Sequence, residues 1–215
     1  MKKAYGLDIP VSREGVCHPD CMALLVHDMQ VGIVRQALNA QQVTSNVVSV
    51  VTAARQGGYH IFFSRHLSLP NQAAGVSQLR TAMAWQRKDR AEETKPGFPR
   101  DPPQAQIIPE VMPLESEVIL EKLGMSFFVG TPLEMALRDC GVSAIAIFGV
   151  VLEIGIEPTV RHAADLGFLP VVVEDGCGSI NEQARKRSLD AFAFGSSCIV
   201  TDSATFCEQI VRSGE

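Results

Sequence analysis

Six short apolar runs, separated by segments of helical period, are the feature that most restricts how this sequence can fold. The runs cover residues 23–27, 59–63, 117–120, 144–148, 169–174 and 197–200. They are rich in β-branched residues and do not alternate strictly with polar ones, a pattern typical of strands buried on both faces of a parallel sheet. The sequence therefore predicts about six parallel strands.

Helix signals lie between these runs, in segments 41–56, 131–140, 153–165, 181–192 and 203–211. The first places Val43, Val47 and Val51 on one face and ends at a glycine pair. In the second, Thr131-Pro-Leu-Glu134 has a capping residue, a proline in the first turn and a glutamate three residues later. The alternation predicts an α/β fold: one doubly wound, Rossmann-like parallel sheet flanked by helices on both faces.

Residues 84–114 interrupt this alternation. The segment carries several charged residues, then six prolines, and connects the second and third predicted strands. Connections of this length are usually lids or partner contacts, with a mobile surface excursion as the alternative.

The length of 215 residues corresponds to roughly 1.4 average domains. Since no repeat or second domain is evident, we expect a single domain over residues 1–215 that forms a homo-oligomer, a dimer or tetramer.

Composition excludes several function classes. Lys and Arg number 19 against 24 Asp and Glu, a net charge of −5, which disfavours a nucleic-acid partner. The sequence contains no run of about 18 uncharged apolar residues, so it predicts no membrane span. The first residues lack the apolar core of a signal peptide. We therefore expect a cytoplasmic protein. Of the six cysteines only Cys17 and Cys21 are close, without a second ligand pair, so we predict no metal and no cofactor.

Polar residues follow several predicted strands. In open parallel sheets, ligands bind at the carboxyl ends of the strands, where the strand order reverses. Asp28 follows the first run, Arg65 and His66 follow the second, and Lys122 follows the third. A carboxylate and an ammonium group at two such ends form either a proton-transfer pair or a structural ion pair, and the pattern leaves both open.

Four ordered motifs resemble the isochorismatase-like hydrolases, the cysteine hydrolase superfamily. They are Leu25-Val-His-Asp-Met-Gln30, Glu121-Lys-Leu-Gly-Met-Ser-Phe127 with the following Gly130-Thr-Pro-Leu133, the segment 149–163, and Val171-Val-Val-Glu-Asp-Gly-Cys-Gly-Ser179. The resemblance runs from about Ala23 to Phe206. It implies the same α/β fold, an oligomer and a small-molecule substrate.

The resemblance also implies roles for individual residues. Asp28 would act as general acid or base, and Lys122 would hold its charge and polarise the substrate. The loop with Val150, Val151 and Gly155 would contain a non-proline cis peptide bond and offer backbone N–H groups to an oxyanion. Members that hydrolyse amides have a nucleophilic cysteine where this sequence has Gly155.

Because glycine has no side chain, residue 155 cannot form a covalent intermediate. Cys177, at the next strand end, would replace the missing thiol only if it lay beside the general base. A branch of the family with glycine in this slot protonates a vinyl ether with the Asp and adds water. That branch reads Gly-Val-Tyr-Ala-His where this chain reads Gly149-Val-Val-Leu-Glu153, which argues against isochorismate as the substrate.

Four further residues are candidates for substrate binding. Gln30 and Phe127 lie in the matching motifs. Arg65 and His66 would either bind a substrate carboxylate, the arginine through its planar fork, or bond to loop carbonyl groups, and the sequence leaves both open. Zinc-binding relatives read Asp-Trp-His near His66, and this chain does not. We predict a hydrolase that uses Asp28 and Lys122 without a covalent intermediate. The alternative is an inactive small-molecule-binding or regulatory relative.

Overall fold

The computed structural model describes residues 2–10 and 15–213. A small antiparallel hairpin pairs β1 (Lys2–Ala4) with β2 (Leu7–Ile9). The main sheet is built from β3 (Met22–His27), β4 (His60–His66), β5 (Val118–Lys122), β6 (Ala144–Val150), β7 (Leu169–Gly178) and β8 (Ile199–Thr201). Its order is β5-β4-β3-β6-β7-β8, and every pair is parallel. From β3 the chain adds strands toward one edge, and from β6 it adds them toward the other, so the strand order reverses between β3 and β6. The predicted fold class is confirmed.

Seven helices flank or connect these strands: α1 (Val31–Val34), α2 (Ala40–Gln56), α3 (Val76–Gln86), α4 (Leu133–Asp139), α5 (Glu157–Asp165), α6 (Glu182–Gly195) and α7 (Ser203–Ser213). The α2 helix buries its predicted valine face and packs against β7 and α7. The Asn181 side chain caps α6 by accepting a hydrogen bond from the Ala184 N–H. Each of the five predicted helices is present, with its ends shifted by a few residues.

The excursion between β4 and β5 is more structured than the sequence predicts. It contains α3 and short 3₁₀ turns at Ala91–Glu93, Pro103–Ala105 and Pro109–Val111. None of the α3 residues is buried, so this helix lacks the apolar stripe by which a helix is recognised in sequence. The hairpin and α1 were not predicted either, since both are too short to show a period.

The two central strands place the site. Every residue of β3 and β6 is buried, and the strands run side by side until His27 pairs with Gly149. Gly149 has φ +122°, and a Cβ there would lie 2.2 Å from the His27 carbonyl oxygen. Only glycine allows this close approach, which brings the loop after β6 next to the end of β3. No described helix has both the length and the apolar character needed to cross a membrane.

Candidate active site

Asp28 and Lys122 form a buried ion pair at the carboxyl ends of β3 and β5. The Lys122 Nζ lies 2.8 Å from the Asp28 Oδ2, and the two side chains are 1% and 8% exposed. Ser64, on the intervening β4, donates its hydroxyl to the Asp28 Oδ1 at 2.6 Å and accepts the Asp28 N–H at 3.0 Å. Three neighbouring strand ends thus fix one carboxylate, and the predicted meeting of Asp28 and Lys122 is confirmed.

The Lys122 ammonium group has no proton to spare for a ligand. Besides Asp28, it donates to the carbonyl oxygens of Gly124 at 3.2 Å and Met125 at 3.1 Å. An ammonium group has three N–H donors, and all three are used within the protein. Lys122 therefore holds the charge of Asp28, but it could polarise a substrate only by giving up one of these bonds.

The Asp28 carboxylate is ionised at neutral pH. Burial raises its pKa, but the Lys122 ammonium and, to a smaller extent, His27 and His66 lower it, and the pKa falls to about 2. A carboxylate with this pKa is a weak base, and it accepts a proton only as the donor becomes acidic in the course of a reaction. In the glycine-bearing branch of the family, the Asp protonates a vinyl ether. For Asp28 to do this it must first be protonated, which a pKa of about 2 makes unfavourable at neutral pH.

His27 is completely buried behind Asp28 and was missed by sequence reasoning. Its Nδ1 lies 3.4 Å from the Asp28 Oδ2 and 3.1 Å from the Val150 carbonyl oxygen, and its Nε2 lies 3.3 Å from the Thr159 hydroxyl. Burial is the largest cause that lowers the pKa of His27 to about 4, so the ring is neutral at pH 7. A histidine inside an otherwise apolar strand was the available signal.

The His27 ring occupies the volume that a side chain on residue 155 would need. A Cβ built on Gly155 would lie 2.3 Å from the His27 Cε1 and 3.1 Å from the Nδ1. Carbon atoms do not approach that closely, so a cysteine here would require His27 or the backbone to move. The glycine in the slot of the family's nucleophile is thus matched by a ring that fills the vacated space.

The loop after β6 turns tightly through a π-helical segment, Leu152–Ile156, that leads into α5. The Val150–Val151 peptide bond is cis, as the resemblance implies. The N–H groups of Ile154, Gly155 and Ile156 all donate to the Val151 carbonyl oxygen, at 3.3, 2.9 and 3.2 Å. Of the oxyanion donors expected from the loop with Val150, Val151 and Gly155, the Gly155 N–H is therefore occupied in this structure, because the π-helical turn directs it and its two neighbours at one acceptor.

A cavity of about 240 Å³ opens beside Asp28. Its lining is mostly apolar and combines the two central strand ends with the excursion: Asp28, Ile33, Gln36, His66, Trp85, Phe98, Met125, Val150, Val151, Ile154, Gly155 and Ile180. His66 packs edge-on against Phe98, and its Nδ1 is buried without a hydrogen-bond partner among the described residues. Burial, the largest cause, lowers the pKa of His66 to about 4. The cavity is the place where a substrate would meet Asp28.

Three of the predicted substrate-binding residues do not line this cavity. Gln30 bonds through its amide to the His66 backbone N–H and carbonyl oxygen, at 2.6 and 3.0 Å, and so joins two strand ends. Arg65 pairs with Glu121 through Nη2 and donates to the Gln106 side chain through Nη1, so both terminal nitrogens are held within the protein, while its Nε has no hydrogen-bond partner among the described residues. Phe127 is fully buried, with its ring against that of His27. His66 is the one of the four that contacts the cavity.

Cys177 lies outside the cavity lining and is fully buried. Its thiol donates to the Val173 carbonyl oxygen at 3.2 Å, and burial raises its pKa well above the usual range. Such a thiol is neutral and inaccessible, the opposite of a reactive nucleophile. Within residues 2–10 and 15–213, no group of three or more His, Cys, Asp or Glu side chains is arranged to hold a metal ion.

Comparisons with known proteins agree with this architecture. The isochorismatase domain family matches residues 22–205. The uncharacterized isochorismatase family protein YecD of Escherichia coli O157:H7 is 28% identical over 180 residues, 78% of this chain and 85% of that protein. Enterobactin synthase component B of Escherichia coli strain K12 is 25% identical over 207 residues, 92% of this chain and 68% of that protein.

A solved structure gives the same fold. The crystal structure of a cysteine hydrolase from Pseudomonas syringae pv. phaseolicola 1448A superposes with a TM-score of 0.78 at 20% identity. The match covers 92% of this chain and 95% of that one.

Proposed function

This chain belongs to the isochorismatase family, and from that premise we propose that it is a hydrolase of a small molecule that works without a covalent enzyme intermediate. One observation carries the proposal: the ionised Asp28 carboxylate, held by Lys122 and Ser64, borders a cavity that Gly155 also lines. The family's acid/base pair is retained in contact geometry, and the slot of its thiol holds no nucleophile, because residue 155 is glycine and the His27 ring takes up the space.

In the proposed reaction, Asp28 acts on water. A water molecule beside the carboxylate attacks the electrophilic carbon of the substrate and passes one proton to Asp28. The carboxyl group then returns this proton to the departing oxygen or nitrogen, so atoms and charge balance over the cycle. General acid/base assistance of this type contributes about 10²–10⁴ in rate. This is sufficient for a reactive ester or ether-like bond and modest for an unactivated amide.

A second candidate, a binding or regulatory protein, is favoured by the occupied donors. The N–H groups of Ile154, Gly155 and Ile156 bond to Val151, and the Lys122 donors are used internally. A site in which these donors stay occupied would bind a ligand and leave it intact, because they would not stabilise developing negative charge. Turnover therefore separates the two candidates.

The test is a hydrolysis screen over small esters, amides and vinyl ethers. We expect turnover by the unmodified protein, loss of about 10²-fold or more in Asp28→Asn, and unchanged turnover in Asp139→Asn, which alters an exposed carboxylate on α4. Treatment with iodoacetamide should leave activity in place. An acyl adduct on Cys177 in the mass spectrum would overturn the non-covalent mechanism, and ligand binding with no turnover of any compound would favour the binding protein.

A further inference from the structure

The cavity beside Asp28 carries almost no charge. Among the described residues that line it, Asp28 is the one ionised at neutral pH, and no Lys or Arg side chain contributes. The charge of Asp28 is already balanced by Lys122 at 2.8 Å. His66, the other titratable group of the lining, is neutral at pH 7 because burial lowers its pKa to about 4.

The cations at the ends of β4 and β5, together with Arg100 of the excursion, are committed elsewhere. Lys122 uses its ammonium protons on Asp28, Gly124 and Met125. The guanidinium groups of Arg65 and Arg100 both pair with Glu121, outside the cavity lining. A ligand carboxylate in this cavity would lie near the negative Asp28 with no counterion, and burying an unpaired carboxylate costs several kcal/mol.

Apart from Gln36, whose amide nitrogen donates to the Gly32 carbonyl oxygen, the rest of the wall is apolar and partly aromatic. Ile33, Met125, Ile154 and Ile180 surround the space, and the excursion between β4 and β5 supplies Trp85 and Phe98. These surfaces favour an apolar ligand body through burial and ring contact. At about 240 Å³ the cavity is smaller than most ligand sites, which suits a molecule of about one substituted ring.

We propose that the substrate of this site is uncharged, with an N–H or O–H donor that bonds to Asp28 and an apolar body that packs against Trp85 and Phe98. The inference rests on the proposed function, since it takes this cavity as the substrate site. It replaces the carboxylate-bearing ligand that the sequence predicted for Arg65 and His66, because the Arg65 fork is held by Glu121.

The test uses Trp85, the single tryptophan of the sequence, as a reporter of binding. The full chain is titrated with benzamide, benzoate and benzylamine, which share one ring and differ in charge, while Trp85 emission is followed. We expect benzamide to bind at least about tenfold more tightly than either charged probe, a difference of about 1.4 kcal/mol. Trp85→Phe should remove the signal.

A gained cation makes the test sharper. Ile180→Arg places a guanidinium on a cavity-lining residue that is 39% exposed, and should strengthen benzoate binding relative to benzamide by about tenfold. Leu38→Arg, at an exposed position outside the lining, is the matched control and should change neither affinity.

The outcomes distinguish this inference from the proposed function. Benzoate or benzylamine binding as tightly as benzamide to the unmodified protein, or no emission change with any probe, would overturn the uncharged class. Preference for benzamide without hydrolysis in the screen would support the ligand class and remove the hydrolase. Turnover confined to anionic compounds would support the hydrolase and overturn the uncharged ligand class.

Discussion

At the scale of single residues, His27 and Gly155 act as a matched pair. The imidazole lies where a Cβ on residue 155 would lie, and it also contacts Asp28 and Val150. A thiol restored at position 155 would therefore not simply return beside Asp28. The ring must be removed before a side chain fits.

This steric argument predicts a coupled pair of mutations. Gly155→Ala should lower the free energy of unfolding by about 1–3 kcal/mol, since it overpacks a buried contact. In the His27→Ala background the same change should cost much less, because the clashing ring is gone. Urea unfolding of the four proteins measures the coupling. Gly75→Ala, with no atom within 4 Å of its added Cβ, is the control, and equal cost in both backgrounds would refute the pairing.

His27 also predicts a pH dependence of stability. Its pKa is about 4 in the folded protein against 6.5 unfolded, so the unfolded chain takes up a proton first as the pH falls. The free energy of unfolding should therefore decrease as the pH falls from about 6.5 to 4. His27 accounts for a loss of about 2 kcal/mol by pH 4.5. The contribution of Asp28, with its pKa lowered to about 2, is lost only at pH values below about 4.

Urea midpoints at pH 7.5 and pH 4.5 measure this effect. We expect His27→Asn to show a smaller loss of stability between the two pH values than the unmodified protein does. His60→Asn, which changes an exposed histidine at the start of β4, should keep the full loss. If His27→Asn retained it as well, the neutral buried ring would not be the cause.

At the scale of elements, Glu153 fastens the π-helical turn to the loop between β7 and α6. Its Oε1 accepts hydrogen bonds from the Ser179 hydroxyl and from the N–H groups of Ile180 and Asn181, at 2.9–3.1 Å. The carboxylate therefore bridges two elements that are distant in sequence. Because Ile180 lines the cavity, the bridge also shapes the site.

Removing the bridge should loosen this wall. Glu153→Ala removes the acceptor of the Ile180 N–H and leaves the Ser179 hydroxyl and the Asn181 N–H only their second acceptors, and we expect a loss of about 1–3 kcal/mol in stability. Hydrogen exchange should accelerate at the amides of Ile180 and Asn181. Glu115→Ala, at an exposed position before β5, should change neither quantity. Unchanged exchange in Glu153→Ala would show that other contacts hold the loop.

At the scale of the whole molecule, the β5 edge of the sheet presents an apolar surface. Met112, Leu114, Val118 and Ile119 are each more than a third exposed, on β5 or just before it. The sheet order leaves β5 paired only with β4. An exposed apolar edge strand favours association with another chain.

We therefore predict a homo-oligomer that uses this edge. Light scattering at micromolar concentration should give a mass of at least two chains, and Ile119→Lys should lower it by placing a charge on the edge. Met135→Lys, an exposed apolar position on α4, is the control and should leave the mass unchanged. A monomeric unmodified protein would contradict the prediction.

The sheet, its flanking helices and the meeting of Asp28 with Lys122 could be predicted from the sequence. These follow from local patterns and one topological rule, since parallel strands carry their carboxyl ends to a common edge. Which side chains and N–H groups are available to a ligand could be read only from the three-dimensional structure. That His27 fills the space of residue 155, that Glu121 holds Arg65, and that Val151 collects the loop N–H groups depends on side-chain contacts and turn geometry that packing creates. Sequence spacing carries no record of such contacts, because the partners of His27 and Arg65 come from segments far apart in the chain and the Val151 contacts depend on a π-helical turn.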